Sequence, residues 1–204
     1  MAVKYATEAF VFKKEDRMDA DRVFSVFAKD FGRLEVFGKA IRNIDSKLRG
    51  GIDIFSLCRI EFVQGKNKKT LTDALALQKF KSIAGDPEKL EIANAICQVA
   101  HEFLKGQEKD EKILALLVEV FGKLQAGRAR KLIYYYFFWN FMALLGHGAD
   151  PASMKVPLEA TVLLRLITQK DWTALETAMV PPAVQKSFQQ ISDHHYALLK
   201  ESYA

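Results

Sequence analysis

The chain has 204 residues, 50% of them hydrophobic and 27% charged, a balance that suits one large globular domain or two small ones and excludes disorder. The net charge of +5 sits in the first 80 residues, where 16 Lys and Arg face 11 Asp and Glu, while the remainder holds 14 of each. The longest nearly uncharged run, Leu132 to Gly146, is shorter than the roughly 20 apolar residues of a membrane span, and no basic-then-apolar leader opens the chain, so no membrane contact is expected and the cytoplasm is the expected location.

From Tyr5 to Leu77 the apolar residues recur with period two, as in strands with one buried face. A first strand is predicted over Ala6 to Lys14. A second, Arg22 to Ala28, separates Val23, Ser25 and Phe27 from Arg22, Phe24, Val26 and Ala28. The turn Asp30 to Gly32 has the length that joins antiparallel neighbours. A third strand, Arg33 to Ala40, puts Arg33, Glu35, Phe37 and Lys39 on one face and Leu34, Val36, Gly38 and Ala40 on the other. A basic connection ending in Gly50 and Gly51 leads to a fourth strand, Ile52 to Val63, with Cys58, Ile60 and Phe62 inward and Arg59 and Glu61 outward. "QGKNKK" is a basic turn, and Leu71, Leu75 and Leu77 mark a fifth strand or its exit. Five short strands with one long connection suit a small closed barrel, because closure removes exposed edges, and an OB-fold is the leading candidate.

The period then becomes helical. "GDPEKLEIANAICQVAHEFLKG" has Asp86 as N-cap and Pro87 at the first helical position, with Leu90, Ala93, Ile96, Cys97, Ala100 and Phe103 on one face. A second helix runs from about Asp110 to Leu124. The third, Arg128 to Leu145, is apolar all round beyond Lys131 and reads as the central post of a bundle. Helices over Leu158 to Gln169, Trp172 to Met179 and Ala183 to Tyr203 follow, the last with Val184, Phe188, Ile191, His195 and Leu198 on one face. The fold class is therefore α+β, with a strand-built module over 1–80 and an all-helical one over 81–204.

Catalytic signatures are missing. The chain has no GxxxxGK[ST], GxGxxG, GxSxG or HExxH, and no CxxC pair, so Cys58 and Cys97 read as free buried thiols. His101 follows Cys97 by four residues, a metal-compatible spacing that lacks further ligands. His194 reads as helix surface and His195 as helix core. The aromatic run Tyr134 to Phe141 reads as core packing and not as a platform for bases.

The cations carry more information. Between Arg33 and Lys69 stand Arg33, Lys39, Arg42, Lys47, Arg49, Arg59, Lys66, Lys68 and Lys69, opposed only by Glu35, Asp45, Asp53 and Glu61. Single-stranded nucleic acid is held by cations along a groove together with aromatic faces, and Phe37, on the charged face of the third strand, could supply such a face.

These residues resemble the RecO family of bacterial recombination mediators. The resemblance rests on the acid-Ala-Asp-Arg run at Asp19 to Arg22, the Gly-Arg-Leu of "FGRLEVFGKA", Ser46 to Leu48, "FSL" at Phe55 to Leu57 and "KTLTDA". It continues more weakly into "FFWNFMALLGHGADP", where His147 replaces a tyrosine. It implies an OB-fold followed by a helical domain, no enzymatic turnover and no cofactor. It also implies binding of single- and double-stranded DNA, annealing of complementary strands, contact with the acidic C-terminal tail of single-stranded-DNA-binding protein (SSB), and work with RecR to load RecA. The family's basic positions fall on Arg22, Lys39, Arg42, Lys47 and Arg49. With the local reading, the expected DNA contacts are Arg22, Arg33, Phe37, Lys39, Arg42, Lys47, Arg49, Lys66, Lys68 and Lys69, the loop acting as a mobile arm freed by Gly50 and Gly51. The four-cysteine zinc motif of many members, after the position of Asp150, is absent, and the C-terminal half is shorter, so no zinc is expected. Arg128, Arg130 and Lys131 are the candidate cations for the SSB tail. The alternative is a protein-interaction adaptor whose barrel has lost DNA binding, since Glu35 and Asp45 interrupt the basic patch.

Overall fold

The computed structural model describes residues 3–18, 20–106, 109–127, 130–148 and 157–203. Five strands, β1 (Lys4–Arg17), β2 (Asp21–Ala28), β3 (Gly32–Gly38), β4 (Ser56–Gln64) and β5 (Lys69–Lys79), close into a barrel in the order β1-β2-β3-β5-β4. Every pairing is antiparallel except β3 with β5, which run parallel at Val36/Lys69 and Phe37/Thr70. This is the OB-type barrel that the strand count and the long connection predict.

Alternation holds best in β3 and β4. Leu34 and Val36 point into the barrel with Cys58, Ile60 and Phe62, beside Ala9, Val11, Phe24, Val26 and Leu71, while Glu35 and Arg59 stay outside. In β1 and β2 both faces are apolar because both are covered. Ala9 and Val11 fill the barrel while Phe10 and Phe12 pack outward on the helices, and Phe24 and Val26 face in while Phe27 faces out. Of the three leucines expected to mark β5, only Leu71 is buried. Leu75 and Leu77 are exposed.

Strand β1 runs past its predicted Ala6–Lys14 at both ends, and two other predicted strand ends are cut short, for the same reason. Strand β3 stops at Gly38, because Ala40 takes a left-handed φ of 51° and its N–H donates to Asp21 Oδ1 at 2.7 Å. Strand β4 begins at Ser56, because Phe55 is also left-handed, at 55°, and the chain before it crosses the barrel mouth with Ile52 as a plug.

A 3-10 turn over Lys81–Ile83 leads to the helices α1 (Pro87–Phe103), α2 (Glu111–Ala126), α3 (Arg130–Leu144), α4 (Leu158–Thr168), α5 (Trp172–Thr177) and α6 (Pro182–Tyr203). The Asp86 carboxylate accepts the N–H groups of Glu88 and Lys89, and Asp110 accepts that of Lys112, so both predicted starts are true caps. Gly127, at φ 81°, ends α2 in the left-handed conformation that favours glycine. Helix α3 is the central post, with Tyr136 to Trp139, Phe141 and Met142 fully buried. In α6 the buried face runs through Phe188 and Ser192 with His195 and Tyr196 partly covered, and Leu198 turns outward, 53% exposed.

The outer face of the barrel and the helices share a core that is separate from the barrel interior. Phe10 lies 4.7 Å from Phe121 and 6.3 Å from Phe80, and Phe55 lies 5.4 Å from Phe121, centroid to centroid. Each buried phenylalanine at this seam contributes roughly 1.5–3 kcal/mol of apolar burial. Among the described residues no helix is long and apolar enough to cross a membrane.

Candidate nucleic-acid interface

The strand registers gather one end of the barrel. Asp16 pairs with Arg22, Arg22 with Gly38, and Phe37 with Thr70, so the end of β1, the start of β2, the end of β3 and the start of β5 meet there. The loop 39–55 closes over this end.

That loop is not the free arm that its glycines suggest. Ile41 and Ile52 are buried in the barrel core, each 3% exposed, and Leu48 packs beside them. The Arg42 N–H donates to Ala20 O at 3.0 Å, Lys79 Nζ to Gly50 O at 2.6 Å, and Lys14 pairs with Asp53 at 2.6 Å. Gly51 lies so close to β5 that a Cβ there would sit 1.8 Å from the Ala74 carbonyl oxygen. This glycine is required for close approach rather than for mobility. The loop's cations are thus presented from a fixed frame, which lowers the ordering cost of binding.

Arg22, Arg42 and Arg49 line a single cavity of about 270 Å³ floored by Phe24, Ile41 and Ile52. Asp16 is its counter-charge, accepting from Arg22 Nε at 2.6 Å and lying 3.6 Å from Arg42 Nη1. Its carboxyl is held below the ordinary value, chiefly by the Arg22 hydrogen bond. Three guanidinium groups against one carboxylate leave a positive site with planar donors suited to bidentate grip of an oxyanion. Lys39, Lys47 and Arg49 are exposed and make no ion pair among the described residues.

Along the outer face of β3 a second cavity of about 330 Å³ is lined by Val23, Arg33, Glu35, Phe37, Asn67, Lys68 and Lys69. Phe37 is half-buried, and no helix residue among those described lines its cavity. Lys68 Nζ lies 3.9 Å from its ring centroid, a cation–π contact. A ring and an ammonium on a flexible stem can receive a base face and its phosphate respectively. Lys66 is exposed on the same turn.

Arg33, expected among the phosphate contacts, also lines this cavity, but its guanidinium is engaged by the end of α1. Its Nη1 donates to the carbonyls of His101 and Leu104, both at 2.9 Å, and its Nη2 lies 3.1 Å from His101 Nδ1. It caps the C-terminal end of α1, where a cation meets unpaired carbonyls and the negative end of the helix dipole. Burial first, and then the Arg33 charge, hold the His101 imidazole below its usual pKa. A nitrogen so occupied is not offered to a metal, and no His, Cys, Asp or Glu cluster fit for one occurs among the described residues. Burial pushes the Cys97 and Cys58 thiols up, as suits free core cysteines.

The sequence reading did not include Asp16, whose place beside Arg22 depends on the β1–β2 register. It also did not include Lys186. In the helices a cavity of about 450 Å³ has Ile92, Leu132, Tyr135, Leu163 and Phe188 as walls, with Lys131, Lys186, Glu88 and Glu91 at its edge. Of the three cations expected there, Lys131 is in place, Arg128 lies outside the described residues, and so does the side chain of Arg130. Asp19, part of the quoted Asp19 to Arg22 run, also lies outside them.

Comparison with known proteins agrees with this architecture. The family model described as "Recombination protein O N terminal" matches residues 1–80. Proteins named DNA repair protein RecO are similar over more of the chain. That of Dehalococcoides mccartyi is 26% identical over 161 residues, covering 78% of this chain and 64% of the relative. That of Desulforudis audaxviator is 27% identical over 150 residues (74% and 60%), and that of a Roseiflexus species 23% over 143 (70% and 50%). The chain thus spans less than two thirds of the length of the curated relatives it matches. With the barrel order, the family-model match across the strands and the continued similarity into the helices, the chain resembles the RecO proteins, and its first 80 residues match their N-terminal domain.

Proposed function

We propose that the chain binds single- and double-stranded DNA at the barrel rim and serves as a recombination mediator in DNA repair, as the name of its relatives suggests. The observation that carries this reading is the cavity of Arg22, Arg42 and Arg49, set beside the Phe37–Lys68 site at one barrel end. Among the described residues no helix residue lines either cavity, and the helices pack on Phe10, Phe12, Phe27 and Phe55. Neutralising phosphates on two strands lowers their mutual repulsion, which is what annealing needs. The protein acts by binding and not by turnover, without a cofactor.

The helical cavity supports a partner reading. Lys131 and Lys186 beside apolar walls fit an acidic peptide with an aromatic C-terminal residue, the chemistry of the SSB tail. RecR and, through it, RecA complete the proposed set of partners, and the cytoplasm is the proposed location. The adaptor alternative is favoured by one feature: Asp16 occupies two of the three arginines.

Labelled single-stranded DNA tests the reading. Binding is expected to be salt-sensitive, and Arg42, Lys47 and Arg49 changed together to Ala are expected to weaken it about tenfold or more. A wild-type chain with no DNA affinity at low salt would leave the adaptor. For the partner site, a peptide ending in Asp-Phe should bind, and Lys131→Glu with Lys186→Glu should abolish binding.

A further inference from the structure

Two apolar side chains stand in water at the same rim. Met18, in the turn between β1 and β2, is 88% exposed, and Ile44, in the loop 39–55, is 87% exposed. A lone exposed hydrophobe needs no explanation, but these two are tied to each other. The hydrogen bond from Arg42 N–H to Ala20 O joins the two connections, and each apolar residue lies two positions from it, within about 7 Å along the backbone. The frame is held again where Asp21 Oδ1 accepts the Ala40 N–H. Met18 itself keeps a left-handed φ of 49°, which L side chains adopt rarely and which recurs at functional sites. The chain between these tips carries Arg22 and Arg42, bridged by Asp16, with Arg49 in the same cavity.

A polyanion alone would not call for apolar tips, and an apolar partner alone would not call for three guanidinium groups. A nucleic-acid strand offers both kinds of surface, phosphates on one side and stacked bases on the other. We infer that Met18 and Ile44 form an apolar wedge that contacts nucleobases while the arginine cavity holds the adjoining phosphates. Unbranched and branched aliphatic side chains serve other proteins in this way, entering between base steps and unstacking them. On a single strand the wedge holds bases apart from their neighbours and open for pairing. The inference rests on the DNA-binding reading and adds to it a contact that carries no charge.

The test uses the full chain, a labelled single-stranded oligonucleotide, and an abasic strand of the same length. The wild type is expected to prefer the strand with bases. Met18→Ser with Ile44→Ser should lower affinity for that strand about five- to tenfold, leaving the abasic affinity and the salt dependence unchanged. Met18→Leu with Ile44→Val should keep the preference. Unchanged affinity of the serine double variant for the base-bearing strand would overturn the inference, as would equal losses on both strands. Wild-type binding to anionic vesicles, or a wild-type dimer, that is lost in the double variant while DNA affinity stays intact would also overturn it and assign the tips to a membrane surface or a second copy. If the wild type binds neither strand at low salt, the DNA reading falls and this inference with it, a result distinct from a binding chain that ignores its tips.

Discussion

Strand β3 carries arginine chemistry of two kinds near its two ends. At its start, Arg33 is consumed by the carbonyls of His101 and Leu104 and works inside the protein. Beyond its end, Arg42 and Arg49 join Arg22 around a cavity with a single carboxylate, and their donors exceed what the protein supplies. The residue type is the same at both ends. What differs is the acceptor nearby, a helix terminus in one case and open solvent in the other. A basic residue is thus a candidate for a polyanion only when the fold leaves its donors unspent.

The seam between the barrel and the helices, whose α1 end takes up Arg33, is the place to strike hardest. Phe10→Ala or Phe121→Ala, at fully buried positions, should cost about 3–5 kcal/mol in chemical denaturation, since each leaves a cavity in the shared core. Next is the loop frame. Gly51→Ala meets the Ala74 carbonyl and should cost about 2 kcal/mol or more, weakening DNA binding as Arg42, Lys47 and Arg49 shift. Gly50→Ala, with nothing within 4 Å of its added methyl, should do neither. If both glycine variants behave alike, the pinned loop is refuted.

Arg33→Met should cost about 1–3 kcal/mol through the lost α1 cap while leaving DNA affinity nearly intact. The smallest effect is in pH. His101 binds its proton less readily folded than unfolded, so its contribution to stability is fully present above about 6.5 and falls as the pH drops through the lowered folded value. His101→Gln should flatten the stability profile just below 6.5, where carboxylates such as Asp16 do not yet titrate.

These outcomes mark what the sequence could carry. Period-two alternation in β3 and β4, and the Asp86 and Asp110 caps, are local signals, and they are legible because the physics behind them acts over a few residues. Strand β2 blurred because the barrel interior covers one side and the helices the other, so polar residues no longer mark a face. The task of Gly51 depends on Ala74 and that of Arg33 on a helix end about 70 positions later, contacts that no window along the chain contains. Composition located the basic region, and the fold then divided it. Arg22, Arg42 and Arg49 were brought together, Phe37 was set beside Lys68, and Arg33 was withdrawn.

The central claim, that the rim arginines hold phosphates and Arg33 does not, is tested most directly by the salt dependence of single-stranded DNA binding in three proteins: wild type, Arg22→Ala/Arg42→Ala/Arg49→Ala, and Arg33→Met. With a slope near −0.7 per phosphate contact, the triple variant should lose about two units of slope and Arg33→Met essentially none. A triple variant with the wild-type slope, or an Arg33→Met variant whose slope falls as far, would contradict the account.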